Sequence, residues 1–353
     1  QISYIYSGVQ IITVILNTIA VAILVEMGYS IQVIKFASTL FFIARPIILA
    51  TYTKRRYRIK LNVPINNAFI SQRWDAFAQG MAYFIHSKTD VFVLTIFSTF
   101  SNVSIYSVYA LVTTGVSSLI NSIDKAVRSA FGNIIACGEK NTLQVSFAAY
   151  NTLIHMLSTV CFSTASITVF AFVRIYVQNI TDANYIQPLF GILIITAEFV
   201  YCLRSPYNSI IYAAGKFKET NIPAVIEVGL NILLSCILVF GFGLVGVAIG
   251  TLVAMIYRTI TFVIFLKENI LGLSIQSQFK RYGITFFIYF IVVFVISRYS
   301  YNPSGYLAWV IYAGIVFVIV SLVTVATNYL LDKQSTKTAI EMLLGKTYQK
   351  IDK

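Results

Sequence analysis

Six consecutive apolar segments between Ala68 and Leu266 each carry an ionisable side chain at nearly the same distance from one end. The residues are Asp75, the Asp124/Arg128 pair, His155, Arg204, Glu227 and Arg258. Each lies roughly 8–13 residues from the more basic end of its segment, about 12–20 Å deep at 1.5 Å per helical residue. A charge inside a bilayer costs several kcal/mol unless it is paired or faces water. Its repeated use at one depth therefore implies a lined, hydrated cavity and a polar or charged cargo. The types divide the chemistry. Arginine offers a planar, permanently charged fork that suits a pyrophosphate, and the carboxylates suit cation coupling or salt-bridge gating.

Helical faces narrow the set. At 100° per residue, Gln72, Asp75, Gln79, Tyr83, His86 and Asp90 fall within about 80° of arc, a stripe too costly to turn toward lipid. Tyr106, Thr113, Ser117, Asn121, Asp124 and Arg128 repeat the pattern one segment later, with Asp124 and Arg128 placed to pair at i, i+4. Asn151, His155 and Ser158 share a face, as do Glu198, Tyr201, Ser205, Asn208 and Tyr212. Pro206 interrupts that last segment beside Arg204 and predicts a kink. Thr220, Glu227, Asn231 and Ser235 line up next, and Arg258 shares a face with Thr251. Each charge also has a structural reading, as half of a packed pair, and spacing alone leaves both readings open.

The elements that must position these residues are membrane helices. Hydrophobic residues make up 58% of the 353 positions and charged residues only 11%, with a mean hydropathy of +0.80. A soluble domain cannot hide that much apolar surface. Ten spans are expected, at about 4–25, 31–51, 68–97, 105–136, 145–173, 185–213, 221–240, 244–266, 282–298 and 307–331. With the first running outward, sixteen Lys and Arg fall on inside segments and two, Arg174 and Arg298, on outside ones. The net charge of +13 is thus a positive-inside topology, with attraction to anionic membrane lipids and a cytoplasmic C-terminus, rather than nucleic-acid binding.

Other signals are negative or local. Cys137, Cys161, Cys202 and Cys236 show no paired or metal-binding spacing, so no cofactor or metal is expected. Gly241-Phe-Gly243-Leu-Val-Gly246 matches a dinucleotide fingerprint but lacks the strand that motif needs. It reads instead as an outside turn entering a helix, followed by a small-xxx-small face at Gly246 and Gly250. A second outside turn is expected at Ser101-Asn-Val-Ser. The chain opens on Gln1 with an apolar segment at once, which reads as a fragment whose beginning is missing.

Several stretches carry a resemblance. Lys88-Thr-Asp90-Val-Phe-Val-Leu with Ile105-Tyr-Ser-Val-Tyr109, the run from Arg204-Ser-Pro-Tyr-Asn to Gly215-Lys-Phe-Lys-Glu-Thr220, Ile226-Glu-Val-Gly-Leu-Asn231 and Phe242-Gly-Leu-Val-Gly-Val-Ala-Ile-Gly-Thr251 resemble bacterial polysaccharide and O-antigen lipid-linked oligosaccharide flippases. These belong to the polysaccharide transport branch of the multidrug/oligosaccharidyl-lipid/polysaccharide exporter superfamily. The resemblance implies an all-α, two-lobe MATE-like fold lacking its first four helices. Residues 1–60 are then the end of the first lobe, 61–270 a six-helix second lobe, and 271–353 an added helical pair with a basic tail.

The implied function is movement of an undecaprenyl-pyrophosphate-linked repeat unit from the inner to the outer leaflet of the bacterial plasma membrane, for capsule, exopolysaccharide or O-antigen. Arg128, Arg204, Arg258, Gln79 and His86 are then the substrate-binding candidates, and Asp75, Asp90, Asp124 and Glu227 the coupling or gating ones. A glycan polymerase and chain-length proteins are the implied partners. The rival readings are a cation-coupled multidrug or small-molecule antiporter, whose cavity should be more acidic and aromatic, and a membrane glycan polymerase or ligase. An enzyme of that kind needs larger outside loops than these, so none is expected.

Overall fold

The computed structural model describes residues 3–57, 73–272, 274–299 and 301–343. Among them the regular structure is helical: α1 (Ser3–Glu26), α2 (Ile31–Tyr57), α3 (Arg73–Phe97), α4 (Phe100–Ala136), α5 (Lys140–Tyr176), α6 (Pro188–Leu203), α7 (Ser205–Ala213), α8 (Phe217–Leu266), a π-turn at Lys267–Leu271, α9 (Ile275–Ser297), α10 (Tyr306–Leu331) and α11 (Lys333–Leu343). Eight helical stretches are long and apolar enough to cross a membrane. Dividing α8 at its bend and adding the more polar α3 accounts for the ten expected crossings.

The chain forms two compact units, 1–70 and 71–353. In the first, α1 and α2 pair, and Arg45 donates to Thr13 from Nε (3.2 Å) and Nη2 (3.0 Å). The second unit carries the core and every candidate residue. At its centre α5 is buried along most of its length. Three of its Thr side chains help make that possible, because they satisfy themselves on the preceding turn: Thr159 on the His155 carbonyl (2.7 Å), Thr164 on Val160 (2.8 Å), Thr168 on Thr164 (2.8 Å). Small, self-satisfied side chains let neighbouring helices approach without exposing polar groups to lipid.

The expected turn between the seventh and eighth spans is present, and glycine is its cause. Gly243 adopts φ 54°, ψ −128° inside α8, so 217–242 and 244–266 fold back as two antiparallel arms. They lie close. A Cβ on Gly246 would sit 2.3 Å from the Leu238 carbonyl oxygen, and one on Gly250 would sit 2.6 Å from Ser235 Oγ. The other predicted turn differs. Ser101–Ser104 is already helix, because Thr99 caps α4 by accepting from Asn102 N at 3.2 Å. The chain turns in fewer residues than the polar run suggested.

The predicted kink at Pro206 is a break. Helix α6 ends at Leu203, α7 begins at Ser205, and Arg204 is the joint. The last two long helices pack into the second unit: Tyr289 Oη lies 2.8 Å from Ser166 Oγ, and Trp309 Nε1 donates to the Thr168 carbonyl at 3.1 Å. Lys140, Lys216, Lys267 and Lys280 are exposed at one end of this unit, where Gln144 also reaches the Leu271 carbonyl at 2.5 Å. We call it the basic end.

Candidate functional site

The depth-matched charges do not form one ring; they separate into clusters. The first is built by the α6/α7 joint and the two arms of α8. Arg204 Nη1 lies 2.5 Å from Glu227 Oε1, and Arg258 Nε lies 3.9 Å from Glu227 Oε2. Gln79 of α3 ties the group together. Its Oε1 accepts from Arg258 Nη2 at 3.0 Å, and its Nε2 donates to Thr220 Oγ1 at 2.7 Å. All are buried, with Arg204, Glu227 and Arg258 at 7, 6 and 4% exposure.

Two guanidiniums share one carboxylate, so the ion pairs of the cluster leave one positive charge over where charge is expensive, with the Glu198 carboxylate acting on Arg204 from the adjoining cavity. Arg258 Nη1 has no hydrogen-bond partner. The aromatic faces of Tyr201 and Phe262, 4.9 and 4.4 Å from the Arg204 and Arg258 guanidinium carbons, hold the two cations in place. The cavity beside the cluster measures only about 40 Å³. Of the two contacts Glu227 makes with arginine, the 3.9 Å one to Arg258 is the weaker.

The second cluster contrasts with it. Asp124 accepts from Arg128 Nη2 (2.8 Å), from Tyr150 Oη (3.2 Å) and from Ser209 Oγ. Its carboxylate takes three donors and the pair is neutral, although Arg128 Nε has no hydrogen-bond partner. Arg128 is about a third exposed and lies over the Tyr212 ring at 4.6 Å. His155 belongs to neither cluster: its Nδ1 meets Thr285 Oγ1 of α9 at 2.8 Å, and Tyr282 packs against its ring. Asp75 accepts from Asn221 Nδ2 at 2.8 Å near the basic end. Gln72 lies outside the described residues.

A larger polar cavity, about 580 Å³, opens among α3, α4, α6 and the second arm of α8. Tyr83, His86, Asp90, Tyr106, Ser117 and Glu198 are among its walls. It shares Tyr83, His86 and Tyr201 with the smaller cavity beside the arginines. The depth-matched charges stand nearer the basic end. The larger volume instead lies toward the opposite end, because near the basic end the charged side chains fill the space by pairing with one another.

Asp90 is 4% exposed. It accepts from Thr251 Oγ1 at 2.8 and 2.9 Å and from Tyr106 Oη at 3.2 Å. His86 Nδ1 is 3.1 Å from Asn231 Nδ2, whose own Oδ1 accepts from Ser235 Oγ at 3.0 Å. The amide can only donate, so Nδ1 accepts and the proton sits on Nε2, which has no protein partner. His86 thus offers a free N–H donor inside the wall shared by the two cavities. Glu198 accepts from Ser117 Oγ at 2.7 Å. It shares a face with Tyr201 and Asn208, the signal by which the sequence could have placed it in the site. Among the described residues no three His, Cys, Asp or Glu side chains converge as metal ligands.

No protein-family model and no curated protein sequence matches the chain. Among solved structures, the lipid II flippase MurJ in an inward closed conformation superimposes with a TM-score of 0.55 at 15% identity, over 93% of this chain and 83% of that one. The chain is a polytopic membrane protein of MATE-like fold. A MOP superfamily transporter from Pyrococcus furiosus aligns at a TM-score of 0.44 and 14% identity, over 76% of this chain and 66% of that one. In this MATE-like fold the arginine cluster and both cavities lie wholly within the unit formed by residues 71–353.

Proposed function

We propose that the protein is a flippase for lipid-linked oligosaccharides and not an enzyme. It would move an undecaprenyl-pyrophosphate-linked repeat unit from the cytoplasmic to the outer leaflet of a bacterial plasma membrane, for surface polysaccharide assembly. The C-terminus would be cytoplasmic, and a glycan polymerase and chain-length proteins would act downstream. The observation that carries this reading is the buried Arg204–Glu227–Arg258 cluster, two guanidiniums on one carboxylate, beside a larger cavity walled by hydroxyls, tyrosines, Asn121 and the carboxyls of Asp90 and Glu198. Such a wall suits sugars, and the cluster suits the phosphate that carries them.

The pyrophosphate displaces Glu227 from Arg258 first, since that contact is the longer, and then competes for Arg204. Glu227 returns as the anion leaves, so the carboxylate acts as a stand-in ligand for the empty state. Gln79 and His86 add hydrogen bonds along the path. Asp90 is the candidate coupling carboxylate, buried among hydroxyls at the far cavity. In the positive-inside frame the basic end of the unit faces the cytoplasm, where the cargo is made.

The test is reconstitution. Vesicles containing the protein receive a fluorescent undecaprenyl-pyrophosphate disaccharide, and a membrane-impermeant quencher reports transbilayer movement. Protein-dependent acceleration that Arg258→Gln abolishes supports the reading. No acceleration, or acceleration only of a cationic dye, overturns it in favour of a drug antiporter.

A further inference from the structure

Lys88 is a cation that the described fold leaves without an ion pair. It stands on α3 nine residues beyond Gln79, about 14 Å farther from the basic end at 1.5 Å per helical residue. Its side chain is exposed. An ammonium at this depth costs a few kcal/mol unless it reaches water or an anion.

Its surroundings differ on its two sides. Toward one side is the polar cavity of about 580 Å³, in which Lys88 is the lone lysine or arginine among the described lining residues. Toward the other is an apolar groove of about 290 Å³ between α3 and the first arm of α8, walled by Phe84, Phe92, Ile96, Phe97, Ile232 and Cys236. Lys88 borders both. Its azimuth on α3 explains this: at 100° per residue it falls between Val91, at the edge of the polar cavity, and Phe92, in the groove.

We propose that Lys88 and this groove form a second, outer station for a polyprenyl pyrophosphate. The anion rests on the Lys88 ammonium, the first isoprene units lie in the groove, and the sugars occupy the polar cavity. The inference rests on the reading of the cargo as a lipid-linked pyrophosphate. What it adds is a place for the tail and a site for the anion after it leaves the arginines. The order of chemistries across α3, apolar groove then ammonium then polar cavity, is the order of prenyl chain, phosphate and sugar in such a molecule.

An ordinary phospholipid could fill the groove, but its headgroup is smaller than an oligosaccharide and leaves most of the cavity of about 580 Å³ unfilled. Lysine also suits an exit station. Its compact charge lacks the bidentate fork that lets Arg204 and Arg258 capture an anion, so it holds the phosphate less tightly.

The experiment uses the whole chain in nanodiscs and an undecaprenyl pyrophosphate bearing a diazirine in an early isoprene unit, with cross-links mapped by mass spectrometry. Saturable labelling between Phe84 and Phe97 and at Ile232 or Cys236 is expected. Unlabelled undecaprenyl pyrophosphate should compete for it and undecaprenol should not. Lys88→Gln should lower it about fivefold, the share of one lysine facing a lipid phosphate, and Lys88→Arg should restore it. Ile232→Trp, which fills the groove without touching a charge, should remove it.

Unchanged labelling in Lys88→Gln, or equal competition by undecaprenol, overturns the outer station and leaves the groove to bilayer lipid. Inorganic pyrophosphate binding, measured in parallel, separates the two failures. If wild type binds it and Arg258→Gln does not, the cargo reading stands even when groove labelling is absent. If neither binding nor saturable labelling occurs, the cargo reading fails and the station falls with it.

Discussion

Arg204–Glu227–Arg258 and Asp124–Arg128 use the same residue types at similar depth in the same unit, and each leaves one guanidinium nitrogen without a partner, yet their charge balance differs. Asp124 takes one guanidinium and two hydroxyls, so its single charge is matched by a single arginine. Glu227 is shared between two guanidiniums, the second at 3.9 Å, and Arg258 keeps an unused nitrogen facing inward. The lesson is that an intramembrane charge is read by its balance sheet. A charge-matched pair glues helices together, whereas a cluster with more arginines than carboxylates beside a cavity awaits a counter-ion.

That contrast can be broken by substitution. The largest effect is expected from Arg258→Gln, which removes the excess charge and the free nitrogen: flipping should fall about 100-fold, near 3 kcal/mol for a lost charge-assisted contact. Its melting temperature should stay within a few degrees of wild type, and a large loss of folded protein would instead make the cluster structural. Asp124→Asn should do the reverse. It should destabilise by about 2–3 kcal/mol, less than a fully buried pair because Arg128 reaches solvent, with unchanged flipping per folded molecule. Thermal melts in detergent, paired with the vesicle assay, read both quantities.

Gly246→Ala probes what holds the first cluster together. The added Cβ would lie 2.3 Å from the Leu238 carbonyl oxygen, forcing apart the two arms that carry Glu227 and Arg258. A cost of about 1–3 kcal/mol is expected from such overpacking, together with weaker pyrophosphate binding by calorimetry. Unaltered binding would show that the arms can separate without disturbing the cluster. The smallest effect belongs to Arg128→Gln, below about 1 kcal/mol in stability because that side chain is part-exposed. A strong loss of flipping there would return Arg128 to the substrate path.

Much of the fold was legible in the chain. Hydropathy marked the spans, and Gly241-Phe-Gly243 with the small face at Gly246 and Gly250 marked a hairpin whose arms touch at those glycines. The α3 stripe was also legible: Gln79, Tyr83, His86 and Asp90 all reach cavities. The Ser101 turn was misplaced because a polar run mimics a loop, while a single Thr99 hydroxyl suffices to start the helix. Asn151 and His155 share a polar face yet look toward α9, where Gln278 and Thr285 meet them.

By itself the sequence determined that the chain is a bundle of membrane helices, where each begins and ends to within about two turns, and which azimuth of each helix is polar. Those are local properties, set by transfer free energy and a 3.6-residue period. Only the tertiary structure decided which charges meet. Arg204 finds Glu227 because the α6/α7 break turns it toward α8, and Asp124 finds Ser209 because α7 packs on α4. A helical face states a direction; what stands in that direction depends on packing among helices far apart in the chain.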